Sequence, residues 1–430
     1  MSIALEPLSH KVQRAAVGTM VDVALAHVRK DRQKVFAEMV DVAKQFYGDS
    51  FSEETYEHAR AVLTDADSKW SKLINCVLDQ TAPNVARTTA LNLGYEAFFR
   101  GTKTIRENRT KYHCNIPWLI LFDPTSACNM HCVGCWAGEY GHKNNLSFED
   151  MDKIITEGKE LGVYLYMLTG GEPLVRKADI LRLAKKHNDV QFAIYTNSTL
   201  IDEPLCEEVV KLGNIAFMLS IEGTPSTNDA RRGDGHYAAV MNAMDLLKAH
   251  GILFGTSICY TRDNLEAVTS DHFMRMLCDK GAHFGFYFHY MPVGNEAAPE
   301  LMPTPAQRKY MIERIRYLRS ERAIFRFIRW TSRTMASLWA DASQADATIS
   351  ISIRRAMQSR ASSSTTPTPT STTAASSIFS AARSSWPTTT ASPSIKTICV
   401  PARCWRTPSF CARWCMTPVL TAPTCSRPRA

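Results

Sequence analysis

The stretch PWLILFDPTSACNMHCVGC, residues 117–135, decides how this chain is read. It runs a short apolar segment into three cysteines, Cys128, Cys132 and Cys135, at C-x3-C-x2-C spacing. Residues 117–123 hold few helix formers and are predicted to be a strand, ended by Pro124. The cysteines then fall just past the carboxyl end of a strand, where α/β barrels and open α/β sheets carry their chemistry. Three thiolates on one short loop suit three corners of a [4Fe-4S] cube, leaving the fourth iron open to a small molecule. The same cysteines together with His131 also suit zinc, which more often takes paired CxxC units.

The next loop bears on that choice. VYLYML (163–168) reads as a second buried strand and runs into Thr169-Gly170-Gly171-Glu172-Pro173. Paired glycines after a strand let the backbone approach a ligand with no Cβ in the way. Glu172 offers a carboxylate to an ammonium group. Taken alone, the segment is also an ordinary Gly-Gly turn.

Together, CxxxCxxC and GGEP at consecutive strand ends resemble the radical S-adenosylmethionine (SAM) superfamily, over about residues 115–320. The resemblance implies that Cys128, Cys132 and Cys135 ligate a [4Fe-4S] cluster. It further implies that Gly170, Gly171, Glu172 and Pro173 line the SAM site. The reduced cluster would cleave SAM to a 5′-deoxyadenosyl radical, which abstracts hydrogen from a substrate. Many family members carry an aromatic residue just before the third cysteine; here Gly134 stands there and Trp136 follows the cysteine.

The alternation continues. QFAIYT (191–196), IAFMLSI (215–221), LFGTSICY (253–260) and FGFYFHY (284–290) read as strands. Helical stretches are expected near 147–161, 176–188, 203–212, 236–250 and 264–280, the first opened by a capping pair, Ser147 and Asp150. Six strands alternating with helices imply a parallel sheet. With the resemblance, the fold class is α/β, a partial (β/α)6 barrel. By the same resemblance, Asn197, Ser220 and Arg232 contact the ribose and carboxylate of SAM. Arg231 is the alternative to Arg232, since either guanidinium fork fits a carboxylate. MPVGN (291–295) would be an adenine-side loop or a simple Pro-Gly turn. Cys259 and the strand tyrosines read mainly as core.

Residues 1–115 show apolar residues at helical spacing and few strand signals, which predicts an all-α N-terminal domain. Asp22 and His27 interrupt its first segment, which reads as neither a signal peptide nor a membrane span. Such a domain would recruit a partner or cover the barrel.

The barrel is expected over 116–322 and a low-complexity tail over 323–430. Beyond Glu321 the sequence has no Gly, Asn, Tyr, His or Glu, yet keeps Trp339, Trp386, Trp405, Trp414 and five cysteines. A frameshift near residues 324–330 accounts for this. Re-read out of frame, the tail resembles the auxiliary-cluster region of SPASM-type radical SAM proteins. On that reading Cys399, Cys404, Cys411, Cys415 and Cys425 are accidental. Residues 322–430 carry fourteen Lys+Arg and two Asp, so the net charge of +8 belongs to the tail and does not argue for nucleic acid.

The function expected is a radical SAM iron-sulfur enzyme acting on a peptide or small molecule, supplied with electrons by a flavodoxin or ferredoxin. Thirteen cysteines without a secretion signal fit a reducing cytoplasm. The alternatives are an iron-sulfur or zinc module without radical chemistry, and an inactive truncated family member.

Overall fold

In the computed structural model the residues described are 5–28, 30–48, 51–135, 137, 144–292, 297–320 and 328–331. The sheet strands are β1 Leu119–Thr125, β2 Leu165–Gly170, β3 Gln191–Thr196, β4 Ile215–Ser220, β5 Phe254–Tyr260, β6 Phe284–His289 and β7 Ile328–Thr331. All neighbours pair in parallel, in the order β1 to β7. This is the expected α/β partial barrel. It is extended by the short β7, which lies beyond residue 322, where the sequence reading ended the barrel. Pro124 does not end β1: the strand runs through it to Thr125, with a register irregularity between Phe122 and Thr125. Proline lacks the ladder N–H, and an edge strand tolerates that loss.

Helices alternate with the strands: α7 Phe148–Leu161, α8 Lys177–Lys186, α9 Glu203–Leu212, α11 His236–Ala249, and the pair α12 Leu265–Thr269 and α13 Asp271–Asp279. The stretch expected as one helix over 264–280 is broken at Ser270, whose side chain caps α13 by accepting the Phe273 N–H. Two further helices are α10 Pro225–Arg232 and α14 Pro305–Arg319. The α10 segment lies outside the helical stretches expected from the sequence. Pro225 opens it at N1, and Thr224 and Thr227 form its capping box.

The sheet has two unlike faces. Phe122, Tyr166, Phe192, Phe217, Phe254 and Tyr287 are fully buried against the helices. Each such side chain contributes roughly 1.5–3 kcal/mol of burial. On alternate positions Leu121, Met167, Tyr195, Ser257, Cys259 and Phe286 stay only partly buried. That face is the barrel interior. Tyr166 and Tyr287 belong to the core, as expected, whereas Tyr195 lies on the interior face.

The N-terminal region is helical, as expected: α1 Leu5–His27, α2 Arg32–Tyr47, α3 Glu53–Thr64, α4 Lys69–Gln80, α5 Pro83–Thr89, a π-helix Ala90–Gly101 and α6 Thr102–Tyr112. Its second half packs on the turns that lead into the strands. Ala82 N donates to the Gly251 carbonyl at 2.8 Å. Asn84 Nδ2 donates to Val210 and Lys211 carbonyls at 2.8 and 2.9 Å. Asn92 Nδ2 donates to Asn188 and Val190 carbonyls at 3.0 and 2.9 Å. These helices therefore cover the amino ends of the strands, opposite the cysteine loop. The tail beyond 331, its cysteines and the frameshift reading lie outside the described residues, as do Trp136 and residues 293–295 of MPVGN.

Candidate cluster and cofactor site

The cysteine loop is fixed at its base by its own return limb. Ser126 N donates to the Asn144 carbonyl at 2.8 Å, and Leu146 N to the Pro124 carbonyl at 3.1 Å. Within the loop Cys135 N reaches the Cys132 carbonyl at 3.1 Å, closing a turn around Gly134. None of the three thiols is in a disulfide; Cys132 is buried and the others partly so. Burial pushes the Cys128 and Cys132 thiols up, and each feels the charge of its loop partners. Among the described residues no three His, Cys, Asp or Glu side chains converge tightly enough to hold one metal ion. A cube of iron and sulfide asks for a wider spread, because each thiolate sits on a different iron.

The GGEP loop is stitched to the cysteine loop through the backbone. Gly171 N donates to the Thr125 carbonyl at 3.0 Å, and Glu172 N to the Ala127 carbonyl at 2.8 Å. A Cβ on Gly171 would stand 2.1 Å from the Ala127 oxygen, so only glycine permits this approach. Gly170 adds a left-handed φ of +115°. Pro173 opens a short 3-10 turn, Pro173–Arg176.

Glu172 is 1% exposed, and its carboxylate is not presented as the sequence suggested. One oxygen accepts from Leu174 N at 2.9 Å and Thr196 Oγ1 at 2.8 Å; the other accepts from Asn197 N at 2.6 Å. Burial raises its pKa against the pull of these donors. The carboxylate thus ties the GGEP loop to the end of β3, leaving the loop backbone as the surface nearest the cysteines.

Asn197 is the junction. Its Nδ2 lies 3.9 Å from Cys128 Sγ and donates to Asn129 Oδ1 at 2.8 Å. Its carbonyl meets His236 Nε2 at 2.9 Å. His236 Nδ1 faces Asn228 Nδ2 at 2.9 Å, and Asn228 Oδ1 takes the Glu222 N–H at 3.0 Å. That last bond orients the Asn228 amide, so Nδ1 accepts and the His236 proton sits on Nε2. Burial lowers the His236 pKa to about 4, with Arg232 adding to the effect.

Both arginines turn to Glu222, which is fully buried. Arg231 Nη1 donates to its Oε1, as do Arg232 Nε at 3.0 Å and Nη2 at 2.7 Å. Arg232 Nη1 is 4.0 Å from Cys132 Sγ. The Arg231 carbonyl accepts from Val133 N at 2.8 Å, and its guanidinium lies 5.8 Å from the Tyr290 ring centre. Ser220 ends β4 on the interior face, in register with Ser257. Sequence reasoning missed Thr196, Asn228, His236 and Tyr290. Their sequence neighbourhood carries no pattern; only folding brings them beside the cysteine loop.

Residues 122–272 match the model of the Radical SAM superfamily. The chain carries a radical SAM domain. The superfamily works with a [4Fe-4S] cluster and SAM, and relatives of this domain include members of the SPASM-type branch. Over 155 residues, 35% of this chain and 39% of the relative, it is 28% identical to the Fe-coproporphyrin III synthase of Methanosarcina barkeri. Over 201 residues, 45% of this chain and 53% of the relative, it is 29% identical to the mycofactocin maturase MftC of Mycobacterium ulcerans. Among solved structures, Streptococcus suis SuiB bound to S-adenosylmethionine aligns at a TM-score of 0.44 and 17% identity, over 54% of this chain and 55% of that chain. An uncharacterized protein of Archaeoglobus fulgidus is 33% identical, with 38% of its length matched. The matched part of this chain thus spans well under two thirds of these relatives. No helix among the described residues is long and apolar enough to cross a membrane.

Proposed function

We propose that the chain is an enzyme that cleaves SAM reductively and removes hydrogen from a substrate held in the barrel interior. The observation that carries this reading is the backbone stitch between Glu172 N and the Ala127 carbonyl, 2.8 Å, next to Cys128. It sets a glycine-walled loop against a three-thiol loop, the pairing that a chelated SAM requires. A cluster bound there would supply the electron that splits the sulfonium.

In this reading Cys128, Cys132 and Cys135 hold the cluster. The backbone of Gly170, Gly171, Glu172 and Pro173 receives the amino group of SAM, and the Glu172 carboxylate holds that loop in place. Asn197, Ser220 and Arg232 face the ribose and carboxylate. The interior face excludes water from the reacting carbon. The substrate is a peptide, the electron donor a flavodoxin or ferredoxin, and the compartment the cytoplasm. Relatives divide between tetrapyrrole-forming synthases and a maturase, so a tetrapyrrole is the comparison substrate class.

The test is anaerobic reconstitution with iron and sulfide, then SAM and dithionite. Four irons per chain and formation of 5′-deoxyadenosine are expected, both lost in Cys132→Ala. A full cluster without 5′-deoxyadenosine would favour an electron-carrying or binding module. Colourless protein with one zinc would end the reading. A small precursor peptide encoded beside the gene would support the peptide assignment, and 5′-deoxyadenosine formation coupled to hydrogen loss from a supplied tetrapyrrole would replace it.

A further inference from the structure

Resting on the cluster reading above, we propose that Glu222 and Arg231 form a charge device that sets the reduction potential of the cluster held by Cys128, Cys132 and Cys135. Neither residue is needed there to ligate iron, and the packing alone does not explain them. Glu222 is fully buried, and three guanidinium nitrogens crowd one of its oxygens while the other, Oε2, meets no hydrogen-bond partner among the described residues. Arg231 is mostly buried too, and its Nε also meets no partner among the described residues. A buried ion triad so incompletely hydrogen-bonded is poor value for stability, since desolvation outweighs the pairing unless every site is satisfied.

Its placement gives it another use. The Arg231 backbone holds Val133 N, between Cys132 and Gly134, and its guanidinium is close enough to feel Cys132, Cys135 and Cys259. Arg232 Nη1 stands 4.0 Å from Cys132 Sγ. Two cations against one carboxylate leave a net positive charge beneath the loop. Tyr290 packs beside that charge, with its ring 5.8 Å from the Arg231 guanidinium and its hydroxyl accepting from Ala298 N at 2.9 Å. Adding an electron to a cluster is favoured by nearby positive charge and opposed by negative charge, and net charge and hydrogen bonds at the sulfurs tune such potentials. Arg231 therefore favours the reduced cluster and Glu222 moderates it. Both are positioning residues with an electrostatic role, and neither touches iron.

The experiment is an EPR-monitored redox titration of the reconstituted full chain without SAM, with iron and sulfide counted in each variant. Arg231→Gln is expected to lower the ratio of reduced to oxidised cluster about tenfold at a fixed potential, about 59 mV for one electron. Glu222→Gln is expected to shift it in the opposite direction, and Arg231→Lys to stay near wild type. Opposite signs are what a purely structural role would not produce. Equal potentials in all variants, or shifts of the same sign, would overturn the proposal, as would equal loss of cluster from Arg231→Lys and Arg231→Gln. A wild-type chain with no [4Fe-4S] signal would overturn the cluster reading and this proposal with it.

Discussion

His236 and Asn197 are joined by a bond from the imidazole Nε2 to the backbone carbonyl, 2.9 Å long and buried. Through it helix α11 reaches the end of β3, and Asn197 carries the contact on to Glu172 and Cys128. The far side of the same ring meets Asn228, which holds the Glu222 backbone. The GGEP loop and the arginine pair are therefore coupled beneath the cysteine loop by one neutral histidine.

That neutrality predicts an acid sensitivity. Burial lowers the His236 pKa from 6.5 to about 4, and His283 likewise. The unfolded chain binds protons first as pH falls, so the stability these rings contribute is complete above about pH 6.5 and is lost toward pH 4. Each contributes about 3 kcal/mol at most over that window. Urea unfolding across pH 4–8 checks it: His236→Gln should flatten the slope, and an unchanged slope would refute the assignment.

Gly171→Ala is expected to break the stitch between the two loops, because its Cβ would stand 2.1 Å from the Ala127 oxygen. Backbone cannot yield as a flexible side chain does. The variant should lose about 1–3 kcal/mol of stability and form 5′-deoxyadenosine at least tenfold more slowly, by an order-of-magnitude estimate from misplaced reacting groups. Thermal melting and chromatographic assay read the two effects.

Gly134 and Tyr290 interlock. Gly134 has a φ of +64°, and a Cβ there would lie 2.2 Å from the Tyr290 hydroxyl. Gly134→Ala should cost about 1–2 kcal/mol from the left-handed backbone and more from the clash. In a Tyr290→Ala background only the backbone cost remains, so a double-mutant cycle should give a coupling of at least about 1 kcal/mol. Additive losses would show that the ring and the loop do not meet.

The N-terminal helices are expected to be integral to the barrel's stability. Asn92 is fully buried, donates to two carbonyls before β3, and accepts from Arg14 Nη2 at 2.5 Å. Asn92→Leu strands those partners and should cost about 1–3 kcal/mol for each buried group left unsatisfied. Denaturant midpoints measure it; a wild-type midpoint would mean that the helices dock without this residue.

The barrel was legible because its signals are local. Apolar runs such as QFAIYT, spaced by helical stretches, declare strands on their own, and C-x3-C-x2-C declares a shared ligand within eight residues, 128–135. α10 was not legible, since its capping residues look the same in a loop. Nor was the use of Glu172, whose donors Thr196 and Asn197 lie 24 and 25 residues away.

The sequence alone determined the order of strands, the thiol loop and the glycine loop, since each depends on residue types at short fixed spacings. Only the tertiary structure decided that the Glu172 carboxylate faces inward, that Glu222 gathers both arginines, and that Arg232 comes to Cys132 across a separation of 100 residues. Such contacts follow from the parallel register, which brings strand ends together whatever their distance along the chain. Where a buried charge finds its partner there leaves no periodic trace in the sequence.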